Sequence, residues 1–163
     1  MRNETRQLVR QRFNFCCGYC GVREVDVGAE LTVDHFQPRA RGGSNEVSNL
    51  VYCCHACNEF KSNYWQTEPD LRILHPLHDD LAVHFVEQAE GLLVALTDTG
   101  QVTIEVLHLN RKELISHRNA RRLHALAIER NTLLLKRLSQ LEQDTQTLES
   151  RIEHLFSGNK MEG

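Results

Sequence analysis

Short stretches of apolar and polar residues, interrupted by glycine and proline, fill the first 65 residues and predict small elements. Pro38 and the pair Gly42-Gly43 predict a loop over Gln37–Asn45. The predicted order is a helix over Thr5–Phe13, a strand over Leu31–Val33 that ends at Asp34-His35, a strand over Asn49–Tyr52, and a helix from His55 to about Tyr64. We therefore expect a strand–loop–strand–helix unit after a short N-terminal helix.

A second pattern begins after Pro69 and Pro76, which mark a boundary in the chain. Short runs rich in β-branched and apolar residues follow, separated by glycine. Such runs predict strands, here Ala82–Glu87, Leu92–Leu96 and Gln101–Leu107. Three consecutive short strands predict a small antiparallel meander.

Good helix formers dominate the last third of the chain, and no proline or glycine occurs between Arg111 and Phe156. We therefore predict one long helix or two. The second half is heptad-periodic, with d positions at Leu134, Leu141, Leu148 and Leu155 and a positions at Asn131, Leu138, Thr145 and Ile152. This repeat predicts a parallel coiled coil, and hence a homodimer through residues 131–155. A helix packed on its own domain is the alternative, because three to four heptads are a short signal.

The composition, with 40% hydrophobic and 25% charged residues, is that of a water-soluble protein. No apolar run approaches the roughly 18 residues of a membrane helix, and the arginine-rich residues 1–12 do not have the apolar stretch of a secretory signal. We therefore expect a cytoplasmic protein without a membrane partner. The length suits one domain with appendages, which we divide into residues 1–65, 66–110 and 111–163.

The formal net charge of -3 does not by itself indicate nucleic-acid binding, but the charges are unevenly distributed. Residues 66–110 carry one Lys or Arg against eight Asp or Glu, whereas the flanking regions are mildly basic. Since salt screens charges beyond about 10 Å, the acidic middle segment does not exclude a local phosphate-binding surface elsewhere.

Four of the six cysteines form two Cys-x-x-Cys pairs, Cys17/Cys20 and Cys54/Cys57, separated by 33 residues. In a reducing compartment such pairs indicate a metal site rather than disulfides. Four thiolates hold one tetrahedral zinc, and a zinc closed in this way is structural. Cys16 and Cys53 would permit a shifted register with a less suitable spacing, so we interpret them as packing residues.

Asp34-His35 and Asn49 lie between the two cysteine pairs, and Asn58 directly follows the second pair. Each residue alone has an ordinary explanation as a loop, strand-edge or helix-capping residue. Together, a carboxylate, an imidazole and two amides beside a zinc-tied framework are the groups that metal-assisted phosphodiester cleavage requires.

The stretches Leu31–Gly43 and Asn49–Lys61 resemble the HNH endonuclease family, which has the ββα-metal fold. The two cysteine pairs are similar to those of its zinc-stapled four-cysteine branch. The resemblance covers roughly residues 13–65. It implies an α+β fold in which a zinc-stapled ββα-metal nuclease core is followed by the predicted β meander and the long C-terminal helix.

The resemblance also implies a role for each residue of the motif. His35 aligns with the general base, and Asn49 aligns with the middle Asn, which braces the loop that orients the base. Asp34 aligns with a ligand of the catalytic divalent ion. Asn58 stands where the family has its last His, the second ligand, so the chain is an HNN variant. A carboxylate and an amide oxygen favour Mg²⁺ or Mn²⁺.

The implied activity is hydrolysis of DNA phosphodiester bonds with structural Zn²⁺ and catalytic Mg²⁺ or Mn²⁺. We interpret Arg39 and Arg41, in the Gly-Gly loop, and Lys61, on the following helix, as contacts to DNA phosphates. For the two arginines, an ordinary solvated loop charge is an equally good explanation.

Two other interpretations stay open from the sequence. One is a non-catalytic zinc module that binds nucleic acid and dimerises through its C-terminal helix, since arginines between Arg118 and Arg130 precede the heptads. The apolar stretch Leu123–Ile128 disfavours it. The other is a cysteine-based redox protein, which the absence of a βαβ pattern disfavours.

Overall fold

The structure is a computed structural model that describes residues 3–158, with side chains up to residue 155. Residues 1–2 and 159–163, at the outer ends of the predicted segments 1–65 and 111–163, lie outside the described residues. The chain divides into two units, of which the first ends at Asn119 and the second begins at Ala120.

The architecture is α+β, as predicted, with two small antiparallel sheets and one long C-terminal helix. The helices are α1 (Asn3–Arg12), α2 (Glu24–Val27), α3 (His55–Lys61), α4 (Leu81–His84), α5 (Asp98–Val106) and α6 (Lys112–Gly158). The strands are β1 (Thr32–His35), β2 (Leu50–Cys53), β3 (Phe85–Glu87) and β4 (Leu93–Ala95). Two 3₁₀ turns, Arg39–Arg41 and Val47–Asn49, lie in the β1–β2 connection.

Strands β1 and β2 pair antiparallel, with Thr32 opposite Cys53 and His35 opposite Leu50. All four residues of β2 are buried, which their apolar character explains. Helix α3 follows immediately, and its N-cap residue Cys54 accepts a hydrogen bond on sulfur from the Cys57 amide at 3.5 Å. These three elements are the predicted strand–loop–strand–helix unit.

The predicted three-stranded meander is wrong in its third strand and in the first half of its first strand, where Leu81–His84 forms helix α4 and only Phe85–Glu87 is a strand. Strands β3 and β4 pair as a hairpin, but the chain from Asp98 to Val106 forms helix α5. The Thr97 hydroxyl caps this helix by accepting a hydrogen bond from the Gly100 amide at 3.1 Å. The β-branched residues suggested a strand, but the cap and the burial of Gly100 and Ile104 at helical spacing decide for a helix.

One hydrophobic core serves the first unit. Val9, Leu50 and Val51 from the N-terminal region belong to the same buried cluster as Ile104 and Leu107 from helix α5 and its C-cap. The segment after residue 65 therefore packs into the core that supports the ββα unit.

Helix α6 is continuous from Lys112 to Gly158, so the choice between one helix and two is settled in favour of one. In the second unit, its heptad leucines are exposed, for example Leu134 at 51%, Leu141 at 46% and Leu148 at 56%. The coiled coil itself stays a prediction. Among residues 3–158, no helix combines the length and the apolar character needed to cross a bilayer.

Candidate active site and metal centre

The two cysteine pairs meet in space, as the sequence predicts. The Sγ atoms of Cys17, Cys20, Cys54 and Cys57 all lie within 4.8 Å of one another, and those of Cys20 and Cys54 are 3.7 Å apart. Zinc–sulfur bonds of about 2.3 Å in a tetrahedron place sulfurs about 3.8 Å apart. The four residues can therefore hold a metal ion, and their geometry and donor type fit zinc.

The two remaining cysteines are not part of this cluster. Cys53 is fully buried in β2, and burial raises the pKa of its thiol well above the usual range, so the thiol stays neutral. Cys16 donates from sulfur to the Asn14 carbonyl at 3.2 Å. Cys53 belongs to the buried core cluster, as its predicted packing role requires. Cys16 is half-buried, and its packing role stays a prediction.

Arg111 lies against the cysteine cluster, although the sequence did not single it out. Its guanidinium lies 3.7 Å from Cys57 Sγ and 4.0 Å from Cys54 Sγ, and it also packs over the Phe60 ring at 5.5 Å. Burial opposes the charge of Arg111, but the Cys57 sulfur beside it gives a net rise in the arginine pKa. Four thiolates around a divalent ion would leave two excess negative charges, and Arg111 lies where it would partly neutralise them.

Asp34 is held at the end of β1 by two donors on one oxygen. Lys61 Nζ lies 2.9 Å from Asp34 Oδ2, and the Tyr19 hydroxyl donates to the same oxygen at 3.1 Å. Within the described part of the chain, Asp34 Oδ1 accepts no hydrogen bond. The carboxylate is thus oriented through Oδ2 while Oδ1 is available as a ligand atom.

Lys61 does not have the surface position that a phosphate contact requires. Its side chain is completely buried, and its ammonium donates to the His35 carbonyl at 2.9 Å in addition to pairing with Asp34. The interpretation of Lys61 as a phosphate contact is therefore corrected. Its partners show that it neutralises Asp34 and ties α3 to the end of β1.

Asn58 lies one turn before Lys61 on α3, and residues three apart share a helix face. Because Lys61 contacts Asp34, Asn58 lies on the face of α3 that is turned towards β1. Its side chain is half-buried, and its backbone amide donates to the Cys54 carbonyl at 3.0 Å. Among the described residues, the side-chain amide forms no hydrogen bond, so its oxygen is available as a ligand atom.

The His35 imidazole is half-buried and is oriented by Asn45. His35 Nε2 lies 2.9 Å from Asn45 Oδ1. Because an amide oxygen only accepts, this contact places the proton on Nε2 and leaves Nδ1 as the basic nitrogen of the neutral ring. Asn45 is not among the predicted site residues, because in the sequence it has no signal beyond its place at the end of the predicted loop.

Asn49 clasps the loop between β1 and β2. Its Oδ1 accepts from the Gln37 amide at 2.8 Å, while Nδ2 donates to the carbonyls of Gln37 and Ser44 at 3.1 and 2.8 Å. A Cβ at Gly43 would lie 1.8 Å from the Gln37 carbonyl oxygen, so this close approach requires glycine. The bracing role assigned to Asn49 is compatible with these contacts.

Arg39 and Arg41 lie in the first 3₁₀ turn of the same loop, and both are exposed. In the region that the structure describes, neither guanidinium forms an ion pair. Exposure suits a phosphate contact and a solvated charge equally, so both explanations of these arginines remain.

Comparison with known proteins gives the class of this site. Residues 17–64 match the family model of the HNH endonuclease. A 54-residue stretch is 44% identical to the CRISPR-associated endonuclease Cas9 of Corynebacterium diphtheriae, covering 32% of this chain and 5% of that protein. The chain therefore carries an HNH endonuclease domain at residues 17–64.

A second relative extends beyond this domain. The Septu protein PtuA of Bacillus mycoides is 25% identical over 142 residues, covering 69% of this chain and 20% of that protein. The chain thus spans only a fifth or less of the length of these two relatives. No solved structure matches the chain.

Proposed function

We propose that the protein is a metal-dependent endonuclease that hydrolyses phosphodiester bonds of DNA. The strongest support comes from the Asp34 carboxylate, which Lys61 and Tyr19 hold by Oδ2 alone, so that Oδ1 is left for a ligand. A loop clasped by Asn49 and an imidazole oriented by Asn45 complete the arrangement.

His35 acts as the general base in this proposal. Its Nδ1 takes a proton from a water molecule, and the resulting hydroxide attacks phosphorus in line with the leaving 3′ oxygen. An imidazole is the side chain that most often serves as a general base in enzymes. The products then carry 5′-phosphate and 3′-hydroxyl ends.

Asp34 Oδ1 and the Asn58 amide oxygen are the proposed ligands of the catalytic ion. An Mg²⁺ or Mn²⁺ ion bound there supplies Lewis-acid stabilisation of the phosphate and the leaving oxygen. With two protein ligands, the protein binds this ion weakly without substrate. The zinc at Cys17, Cys20, Cys54 and Cys57 remains structural, and Arg39 and Arg41 contact phosphates at the loop surface.

We assign no catalytic residue to the remaining parts of the chain. We propose a nuclease domain over residues 1–65, an extension over 66–110, and a C-terminal helix over 111–163 that joins two copies through residues 131–155. The proposed partners are DNA and a second copy of the chain, and the proposed compartment is the cytoplasm.

The test of the catalytic proposal is a plasmid-cleavage assay with Mg²⁺, Mn²⁺, no added ion, or a chelator. Cleavage is expected only with a divalent ion, and Asp34→Asn should abolish it. Asp70→Asn, at an exposed aspartate of the extension, is the matched control and should leave metal dependence unchanged. Cleavage that persists in Asp34→Asn at the wild-type rate would remove the proposed ligand.

A further inference from the structure

A pocket of about 200 Å³ lies beside the nuclease motif and has no role in the proposed chemistry. Its lining residues come from three segments: Phe36 directly after β1, Trp65, Gln66 and Thr67 after α3, and Arg72 and Ile73 from the extension. Phe36 directly follows β1, and the segment with Trp65 follows α3. The two elements that carry the proposed catalytic residues are therefore continuous in sequence with the pocket wall.

We propose that this pocket binds an unpaired nucleobase of the DNA strand that the nuclease domain engages. The proposal rests on the proposed nuclease function and specifies its substrate as DNA with at least one base out of the stack. Pockets for larger ligands measure about 300–1,000 Å³, so this smaller pocket suits a single planar ring system.

The aromatic walls are positioned for stacking. The Phe36 ring meets the Trp65 ring edge-to-face, with centroids 5.8 Å apart and an interplanar angle of 89°. The Phe36 ring also meets the His75 ring edge-to-face, with centroids 4.4 Å apart. Burial lowers the pKa of His75 to about 4, so this support is neutral at pH 7. The Phe36 ring is thereby fixed, and Trp65 offers the larger partly exposed ring surface.

The charges of the pocket disfavour a phosphate as its ligand. Arg72 is paired with both oxygens of Asp79, at 2.6 and 2.9 Å, so the one arginine in the wall is already neutralised. The surrounding segment, residues 66–110, is strongly acidic. An uncharged ring that stacks on aromatic surface is therefore favoured over an anionic group.

The position of Phe36 explains why the base must be unpaired. Phe36 directly follows His35, the last residue of β1, so the pocket wall begins next to the proposed general base. A base that enters this pocket to stack on its aromatic wall must leave its own stacked neighbours. A paired base in an intact duplex is not free to do so.

The chain has a single tryptophan, so its fluorescence reports on this pocket directly. The titration uses His35→Ala protein, which is expected to leave DNA uncut, and an unlabelled single strand of 12 thymidine nucleotides. Parallel titrations use an abasic strand of the same length and a blunt duplex. The thymidine strand should quench Trp65 and bind about tenfold or more tightly than the abasic strand.

Trp65→Leu should remove the preference for the thymidine strand over the abasic strand, and Trp65→Phe should retain part of this preference. Because these variants have no tryptophan, their binding is measured by the anisotropy of a labelled strand. Equal quenching by the abasic strand or the duplex, or no quenching by any of them, would overturn the base-binding proposal. The outcomes are independent of catalysis. Wild-type cleavage without quenching leaves the nuclease proposal intact, and base-dependent quenching without cleavage leaves the pocket intact.

Discussion

Lys61 Nζ lies 2.9 Å from Asp34 Oδ2, and this buried ion pair joins the helix and the strand that carry the proposed catalytic groups. The same ammonium donates to the His35 carbonyl, so one side chain fixes the backbone beside the base and the carboxylate beside the metal position. Lys61 thus acts within the protein rather than at the DNA surface.

Replacing Lys61 by methionine should destabilise the protein by about 3 kcal/mol, because it leaves the Asp34 carboxylate buried without its cation. The free energy of unfolding is measured by denaturant titration at fixed zinc concentration. In a double-mutant cycle with Asp34→Asn, the destabilisation of the double mutant should be about 1–3 kcal/mol smaller than the sum of the destabilisations of the two single mutants. Strictly additive effects would contradict the pairing.

Loss of one sulfur ligand should unfold the region that the cysteine cluster ties together. Cys57→Ser is expected to lose bound zinc and the cooperative thermal transition together, because structural zinc sites couple metal binding to folding. Elemental analysis and circular dichroism measure both. The matched control is Cys16→Ser, which changes a cysteine outside the cluster and should keep both. Full zinc content in Cys57→Ser would exclude it as a ligand.

Arg111 should strengthen zinc binding through its contact with the cysteine sulfurs. Arg111→Met is expected to weaken zinc affinity by about 10–100-fold, as removal of groups around metal ligands commonly does. Competition with a chromophoric chelator measures the affinity. Arg111→Lys should retain part of it, and Arg41→Met, an exposed arginine away from the cluster, should retain all of it. Unchanged affinity in Arg111→Met would show that the contact has no influence on the metal.

The heptad leucines should hold two copies together. Sedimentation equilibrium is expected to give twice the chain mass of 18.8 kDa for the wild type and the chain mass for Leu141→Asp, which places a charge at a d position. Leu133→Asp is the matched control, since Leu133 is also exposed but lies at position c. A wild-type protein that is monomeric at all concentrations would rule out the dimer.

The sequence predicts the ββα unit well because its signals are local. Glycines and prolines mark the loop, the cysteine spacing defines the cluster, and the apolar run Leu50–Cys53 defines a buried strand. The segment that became α5 was mispredicted because β-branched residues outweighed the weaker signal of a threonine cap. Propensity is a weak prior that packing overrides.

Long-range contacts explain what the sequence missed at the site. Arg111 is 54 residues from Cys57, and Lys61 is 27 residues from Asp34, so neither partnership leaves a periodic signature. Lys61 in sequence is an ordinary last-turn lysine of a helix. Only the packing of α3 on β1 shows that its ammonium is buried against a carboxylate.

The central claim is that His35 is the base of a metal-dependent nuclease, and the most direct measurement compares DNA cleavage by the wild type and His35→Ala. Wild-type protein should cut DNA with Mg²⁺ or Mn²⁺. His35→Ala should lose about 100-fold or more of the rate while it keeps bound zinc and DNA affinity. Cleavage by the zinc-loaded His35→Ala protein at the wild-type rate would contradict the account.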